Sequence, residues 1–180
     1  MKDIKVSVLI ANYNNEQYLT ECIDSIKKQT YQNVEIIIHD DASSDNSIKR
    51  INKYKNIKII KNKKRGKYGS YNQMNAYNRA FKISNGEIIF LLDSDDLFSK
   101  NKIKNVINAF SKNKKITSLF DLPIYKYKEK LKFIKNKKKF VSNYWPYIPP
   151  QSCIVIKREE FKKIFNKINF NLFPDIWMDF

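Results

Sequence analysis

The sequence predicts an α/β fold in which a mostly parallel sheet is flanked by helices. Three observations support this prediction: apolar runs alternate with helix-like segments, polar residues rarely interrupt those runs, and polar clusters follow directly after them. Strands buried on both faces are continuously apolar, and alternation with helices is typical of parallel sheets. The 180 residues suffice for one such domain, with 42% hydrophobic residues to build its core.

The predicted elements alternate along most of the chain. Strands are predicted, in chain order, at residues 4–11, 34–40, 57–61, 87–92, 116–123 and 153–157. Helices are predicted at residues 16–29, 47–54, 71–84, 101–112 and 158–165, where apolar residues recur at helical spacing. Asn14 or Asn15 can cap the first helix, and Asn85-Gly86 is a typical helix end. The segment 126–139 departs from this rhythm and is either a charged excursion or a β-ribbon.

No repeat or interdomain linker interrupts the sequence, so we predict a single domain over residues 1–180. The final stretch FPDIWMDF looks like the start of another helix, and we therefore expect a domain truncated at its C-terminal end. No signal-peptide core is present, and no apolar run approaches the roughly 20 residues that span a bilayer. We expect a cytoplasmic protein. Peripheral association with the inner face of the cytoplasmic membrane is an open alternative.

The chain is strongly basic, with 35 Lys and Arg residues against 18 Asp and Glu and a net charge of +17. A field of this sign attracts phosphate groups of nucleotides, nucleic acids or anionic lipids. Many of the lysines are nevertheless expected to be solvated surface, because the abundance of Lys, Asn and Ile resembles the bias of an AT-rich genome. The charge sets a class of partners and does not choose among them.

The residues present exclude several common kinds of site. Cys22 and Cys153 lie far apart amid apolar residues, which favours buried free thiols over a disulfide or a metal pair. His39 is the only histidine and cannot build a zinc site with these neighbours. Three glycines cannot supply either common glycine-rich phosphate loop, and no G-x-S-x-G elbow occurs.

Polar residues gather where three predicted strands end. They are residues 12–14 after the first strand, Asp40 and Asp41 after the second, and residues 93–96, DSDD, after the fourth. Ligands of open α/β sheets bind beyond the carboxyl ends of the strands. Crowded carboxylates repel one another, and a divalent cation with oxygen ligands relieves that repulsion. The pattern therefore favours a metal-assisted site for a phosphate-bearing ligand.

A simpler interpretation of these acids stays open. The DSDD stretch can be a turn that ends in a helix N-cap at Asp95 or Asp96. The stretch after the second strand can likewise be a loop with a cap at Asp45. The occurrence of acids after two buried strands of one α/β series favours the metal site over this alternative.

Three blocks of the sequence resemble the family 2 glycosyltransferases of the GT-A fold. The first is VSVLIANYNNEQYLTECIDSIKKQTYQNVEIIIHDDASSD at 6–45, with a Y-N turn and an E-I-I-x-x-D-D strand end. The second, NAYNRAFKISNGEIIFLLDSDD at 75–96, ends in the DXD motif, and PPQSCIVIKREEF at 149–161 resembles the acceptor-side segment. The resemblance implies an inverting enzyme of bacterial polysaccharide type, with a nucleotide-sugar-binding half at 1–110 and an acceptor-side half at 111–180.

The resemblance also implies roles for individual residues on the donor side. Tyr13 and the backbone near Ala11 would pack on the nucleotide base, and Asp41 would hydrogen-bond to it, as expected for uracil. Asp93, with Ser94 beside it, would lie near the ribose and the metal.

The metal and the catalytic base are assigned in the same way. Asp95 would coordinate Mg²⁺ or Mn²⁺ that bridges the diphosphate, and Asp96 could replace or assist it. Asp179 would take the proton from the acceptor hydroxyl, with Asp175 as its rival.

Two positions depart from the family pattern. Ala42 stands where the family commonly has Gly, which matters if that residue needs a positive φ. Tyr77 stands where the family often has an Arg, immediately before Asn78 of the predicted helix. If this protein keeps the cationic contact of that Arg, another residue must supply it. Arg65, Lys67 and Arg79 are the candidates to supply it.

The expected function is metal-dependent transfer of a sugar from a nucleotide-sugar, with UDP as the expected nucleotide, to a hydroxyl of a glycan or lipid-linked saccharide. Capsule or lipooligosaccharide synthesis is the expected setting, with no nucleic-acid partner. One alternative is a nucleotidyltransferase, which also uses metal-binding acids beside an α/β sheet. Another is a basic nucleic-acid-binding module that would use the 126–139 segment with its aromatic residues.

Overall fold

The computed structural model describes residues 3–67, 69–127, 130–133 and 150–167. The strands are β1 (Val6–Asn12), β2 (Val34–Asp40), β3 (Ile57–Lys61), β4 (Ile88–Asp93), β5 (Ser118–Phe120), β6 (Ile124–Tyr127), β7 (Lys130–Phe133) and β8 (Ile154–Lys157). The helices are α1 (Glu16–Lys27), α2 (Ser47–Ile51), α3 (Gly69–Lys82), α4 (Lys102–Lys112) and α5 (Arg158–Lys167). A short 3₁₀ turn at Gln151–Cys153 precedes β8.

Among the described residues, six strands form one sheet in the order β3-β2-β1-β4-β8-β5. The first four are parallel, whereas β8 is antiparallel to both β4 and β5. This confirms the predicted mostly parallel α/β fold. The position of β8 between β4 and β5 is not a feature that the order of elements along the chain can predict, because the strand returns from far along the sequence.

Helices cover both faces of this sheet because its central strands are apolar on both sides. α1, α2 and α4 pack on one face, where Leu19, Ile23, Ile51, Ile103 and Phe110 are buried against alternate residues of the central strands. α3 and α5 pack on the other face through Tyr77, Ala80, Phe161 and Phe165. The central strand β1 is buried on both faces, which explains its uninterrupted apolar sequence.

At the edge where the parallel strands begin, one carboxylate ties three segments together. Glu35 accepts hydrogen bonds from Ser7 Oγ at 2.7 Å, from the Gly86 N–H at 3.1 Å, and from the Asn85 N–H. Lys58 Nζ lies 2.9 Å from its other oxygen. Burial alone would raise the pKa of Glu35, but these hydrogen bonds outweigh it and lower the pKa to about 2.

Gly86 belongs to the same contact. A Cβ there would clash with the backbone of Ser7, so only glycine lets this turn approach β1 closely enough to donate its N–H to Ser7 Oγ, at 2.8 Å.

Several helices and strands begin or end at residues other than those predicted from the sequence. The first helix begins after Asn15, whose side chain makes no capping bond; Asp45 instead accepts the Glu16 N–H at 2.9 Å. Asp45 also accepts the Ser47 N–H at 2.9 Å, so it serves both helices. The predicted strand at 116–123 is only the short β5. The β-ribbon alternative for the following segment is confirmed where β6 pairs with β7.

The interpretation of DSDD as a helix N-cap is wrong. The next helix, α4, begins at Lys102 after Asn101, so neither Asp95 nor Asp96 caps it. Both acids lie in the turn that follows β4, with the Asp96 N–H donated to the Asp93 carbonyl at 3.0 Å. Within the described residues, no helix is both long and apolar enough to cross a membrane.

Candidate active site

A cleft of about 320 Å³ opens at the carboxyl edge of the parallel strands. Its lining includes all six residues that the sequence assigned to the nucleotide-sugar, namely Ala11, Tyr13, Asp41, Asp93, Ser94 and Asp95. β1, β2 and β4 are neighbours in the sheet and run in the same direction, so their polar ends converge at this edge. The remaining lining residues are Asn12, Asn15, Arg65, Gly69, Asn72, Gln73 and Ala76.

Asp40, the last residue of β2, and Asp41, the next residue, are both buried but have different surroundings. Asp40 is buried and holds the loops: it accepts hydrogen bonds from Asn12 Nδ2 at 2.7 Å and from the Ser43 N–H at 2.9 Å. Asp41 lines the cleft instead. Asp40 is therefore a structural residue and Asp41 a binding candidate.

A cation stands beside Asp41. Arg65 Nε donates to Asp41 Oδ2 at 3.2 Å, and Asn62 Nδ2 donates to Oδ1 at 2.7 Å. The Arg65 guanidinium also lies over the Tyr13 ring, 3.5 Å from its centroid. Arg65 thus covers the aromatic face that the resemblance assigns to the nucleotide base.

The loop that carries Arg65 is anchored on α3. Asn72 is buried, and its Nδ2 donates to the Gly66 carbonyl at 2.9 Å. Of the other two candidate cations, Arg79 donates to Asn62 and Lys67 is exposed. Neither of them lines the cleft, so among the described residues Arg65 is the cation of this site.

The loop after Asp41 carries backbone strain. Ala42, which stands where the family commonly has Gly, has a φ of 61°. This value lies in the left-handed region, so the position does have the positive φ that favours glycine. An L-residue pays roughly 1–2 kcal/mol for this conformation. Asn14, on the facing loop, has a φ of 49°, which an Asn side chain tolerates better.

Asp93, at the end of β4, is held entirely by neutral groups. Gln73 Nε2 and Tyr77 Oη, both on α3, donate to Asp93 Oδ1 at 2.6 and 2.5 Å. The backbone N–H of Asp93 is donated to Ser152 Oγ at 3.0 Å. Burial raises the pKa of Asp93 to about 6; the charges of the neighbouring acids at 95 and 96 add to this rise, and the Tyr77 hydrogen bond opposes it.

Ser94, Asp95 and Asp96, which follow Asp93, differ in burial and in their contacts. Ser94 is fully buried and its Oγ accepts a hydrogen bond from Asn15 Nδ2 at 2.8 Å, which fixes the turn against the start of α1. Asp95 is exposed and lines the cleft, whereas Asp96 is half-buried and lies outside its lining. Asp95 is therefore the better placed of the two acids to meet a ligand in the cleft.

The described residues contain no group of three or more acidic, His or Cys side chains arranged to hold a metal. A Mg²⁺ site needs no such group, because it commonly combines one or two carboxylates with substrate phosphates and water. Asp95 at the cleft and Asp93 behind it fit that donor set, and burial plus like charge make the acid cluster a favourable place for a cation. Asp179 and its rival Asp175 lie outside the described residues.

Sequence reasoning missed the contribution of α3. Gln73 and Tyr77 are four residues apart on one helix, so they share a face, and that spacing was the available signal. Their contact with Asp93 depends on how the helix is rotated over the sheet, which the sequence pattern does not specify.

A family model of glycosyl transferase family 2 matches residues 7–173. The chain belongs to this family. One curated relative is WfgD of Escherichia coli, named UDP-Glc:alpha-D-GlcNAc-diphosphoundecaprenol beta-1,3-glucosyltransferase. The two sequences are 36% identical over 113 residues, an alignment that covers 63% of this chain and 44% of WfgD. The chain spans about half or less of the length of the curated relatives it matches.

Two solved structures share the fold. TarS 1–349 of Staphylococcus aureus in complex with UDP aligns with a TM-score of 0.73 at 20% identity, covering 94% of this chain and 51% of that one. The mannosyltransferase PcManGT of Pyrobaculum calidifontis, in complex with GDP-Man and Mn²⁺, aligns with a TM-score of 0.68 at 20% identity, covering 89% and 46%. These likenesses identify the six-stranded sheet with its flanking helices as a GT-A fold.

Proposed function

We propose that this family 2 chain binds a nucleotide-sugar, with UDP as its nucleotide, and transfers the sugar to a hydroxyl of a glycan or lipid-linked saccharide. The observation that carries the proposal is the cleft at the carboxyl edge, where the polar ends of β1, β2 and β4 converge. Bacterial surface polysaccharide synthesis is the proposed setting, because the relative WfgD is named for a diphosphoundecaprenol-linked acceptor.

The donor side of the cleft offers side chains suited to the base and the diphosphate of a UDP-sugar. The Tyr13 ring offers a stacking face for the base, next to Asp41 as a hydrogen-bond acceptor. Arg65 must turn off that ring when a base stacks there, and its guanidinium then becomes available to the diphosphate. We assign to Arg65 the cationic contact that the family pattern places at position 77.

Asp95 is the proposed ligand of Mg²⁺ or Mn²⁺, with Asp93 beside it. When bound, such an ion neutralises the charge that develops on the departing diphosphate. The protein supplies the orientation: Ser94 and Asn15 fix the turn that carries Asp95, and α3 fixes Asp93. Asp96 stays outside the cleft and contributes through its charge.

The proposed reaction is a single displacement with inversion at the anomeric carbon. The acceptor oxygen forms a bond to that carbon as the bond to the diphosphate oxygen breaks, and the acceptor proton passes to a carboxylate on the opposite side. We propose Asp179 as that base, within an acceptor-side half at residues 111–180. Asp179→Asn is expected to abolish transfer and leave UDP binding intact; loss of both would indicate a structural role.

Calorimetry with UDP, GDP and CMP, each with and without Mn²⁺, tests the proposed donor site. The measurement reads binding and needs no acceptor. We expect UDP to bind, more tightly with Mn²⁺ than without it, and more tightly than GDP or CMP. Absence of binding by all three nucleotides would contradict the proposal, and a preference for GDP would correct the donor.

The nucleotidyltransferase alternative is separated by its product. Such an enzyme releases pyrophosphate from a nucleoside triphosphate, whereas the proposed reaction releases UDP from a UDP-sugar. Peripheral contact with the inner face of the cytoplasmic membrane is a further part of the proposal, supported by the net charge of +17. Failure to co-sediment with anionic liposomes at low salt would remove that part alone.

A further inference from the structure

Two side chains of α3 converge on a single oxygen of Asp93. Gln73 Nε2 and Tyr77 Oη both donate to Oδ1, at 2.6 and 2.5 Å. Tyr77 is fully buried, so its phenol has little freedom to turn elsewhere, and its ring packs in the core with Leu9 and Ile37. Both distances are short for hydrogen bonds of these types.

The rest of Asp93 is fixed as well. Its backbone N–H is donated to Ser152 Oγ at 3.0 Å, and its carbonyl lies 3.7 Å from Cys22 Sγ. Among the described residues, no hydrogen bond or ion pair reaches the second carboxylate oxygen, Oδ2. Arg65, the cation of the cleft, is engaged with Asp41 instead. Among the described contacts of the Asp93 side chain, both go to Oδ1, which leaves Oδ2 to accept a hydrogen bond from a ligand.

We propose that Gln73 and Tyr77 are positioning residues that orient Asp93 so that Oδ2 accepts a hydrogen bond from a ribose hydroxyl of the bound nucleotide. Neutral donors replace the Arg that family members often carry at position 77. They set the rotamer of the carboxylate without forming the ion pair that an Arg side chain would form. The proposal rests on the proposed function, because it requires a nucleoside diphosphate in the cleft.

Tyr77→Phe tests the proposal because it removes the phenolic oxygen and keeps the ring that fills the core. The matched control is Tyr54→Phe, because Tyr54 Oη also donates to a carboxylate, that of Asp24, at 2.9 Å, away from the cleft. If Tyr77→Phe does not fold, Gln73→Met is used in its place. Met has about the length of Gln but lacks the N–H donor, and the side chain of Gln73 is half-exposed.

The measurement compares the affinities of UDP, 2′-deoxy-UDP and 3′-deoxy-UDP by calorimetry with Mn²⁺. In the unchanged protein we expect UDP to bind about ten-fold more tightly than at least one deoxy analogue, as for a hydrogen bond to a charged group. Tyr77→Phe should reduce that ratio to about three-fold or less, whereas Tyr54→Phe should keep it. A general loss of fold would weaken all three ligands alike and leave the ratio unchanged.

Two results would overturn the proposal: equal affinity of the unchanged protein for UDP and both analogues, or an unchanged ratio in a folded Tyr77→Phe protein. Failure of the proposed function has a different signature, because the unchanged protein would then bind none of the three ligands.

Discussion

Two carboxylates at opposite ends of the same sheet have opposite surroundings. Glu35, at the edge where the parallel strands begin, receives hydrogen bonds from three neutral groups and a contact from Lys58, and its pKa is lowered to about 2. Asp93, at the edge where they end, is held by neutral donors on one oxygen, and burial raises its pKa to about 6. The described contacts of Glu35 reach both of its carboxylate oxygens, whereas those of the Asp93 side chain reach only Oδ1.

The difference shows how this fold separates stability from binding. The beginning of the sheet is closed by Glu35, Ser7 and Gly86, so its polar groups need nothing from outside. The end of the sheet retains uncompensated charge and a strained loop at Ala42, both of which cost stability in the absence of a ligand. Changes at the two edges should therefore affect different measurements.

The largest expected effect is on catalysis, from Asp95→Ala. Removing the proposed metal ligand should lower the rate of sugar transfer by about 100-fold or more, because a metal supplies several kcal/mol of transition-state stabilisation. Binding of UDP should lose its dependence on Mn²⁺ in calorimetry. Stability in urea should change by less than about 0.5 kcal/mol, because Asp95 is exposed.

Asp96→Ala is the matched control for this change, since Asp96 lies in the same turn but outside the cleft lining. It should keep the dependence on Mn²⁺. If Asp96→Ala removes that dependence and Asp95→Ala does not, the two acids exchange roles.

The second effect is on stability, from Glu35→Gln. Loss of the charge that Lys58 and the surrounding N–H groups stabilise should lower the free energy of unfolding at pH 7 by about 1–2 kcal/mol, allowing for solvent screening. The folded pKa of about 2 is below that of the unfolded chain. The contribution is therefore present above about pH 4.5, the ordinary value for Glu, and is lost as the pH falls towards 2. Urea unfolding at pH 7 and pH 3 measures it.

The control for Glu35→Gln is Glu21→Gln on the exposed side of α1, which should change stability little at either pH. UDP affinity should be the same in all three proteins. An effect of Glu35→Gln on UDP affinity larger than its effect on stability would mean that the two edges are not independent.

The smallest effect is expected from Ala42→Gly. Relief of the positive φ should raise the free energy of unfolding by about 0.5–1 kcal/mol, after the entropy that glycine adds to the unfolded chain is subtracted. Asn56→Gly is the matched control: its φ of 66° is similar, but Asn tolerates that region, so the gain should be smaller. Equal gains at both positions would show that Ala42 is not specially strained.

The sequence was informative about strands and their ends for a physical reason. Buried parallel strands require continuous apolar runs, so the ends of β1, β2 and β4 and the acids that follow them could be located directly. The meeting of Tyr13, Asp41 and Asp95 then followed from the parallel order. The strain at Ala42 was anticipated only as a departure from a glycine pattern.

Other features depend on three-dimensional relations that no local pattern encodes. The insertion of β8 next to β4 brings Ser152 to the Asp93 N–H across 59 residues of sequence. The contact of Tyr77 with Asp93 depends on the rotation of α3, and that of Arg65 with Tyr13 depends on the path of a loop. Asp179 lies outside the described residues, so its role stays a prediction.

Arg65 on the ring of Tyr13 has a consequence for the cycle of binding and release. The guanidinium is planar and positively charged and lies on the ring face where a base is proposed to stack, so under that proposal it occupies the face when no nucleotide is bound. Under the same proposal, binding and release of a nucleotide would exchange one planar partner of the Tyr13 ring for another, and the ring would stay covered in both states. The proposed release of the nucleotide would then not require the apolar face of Tyr13 to be exposed to water first.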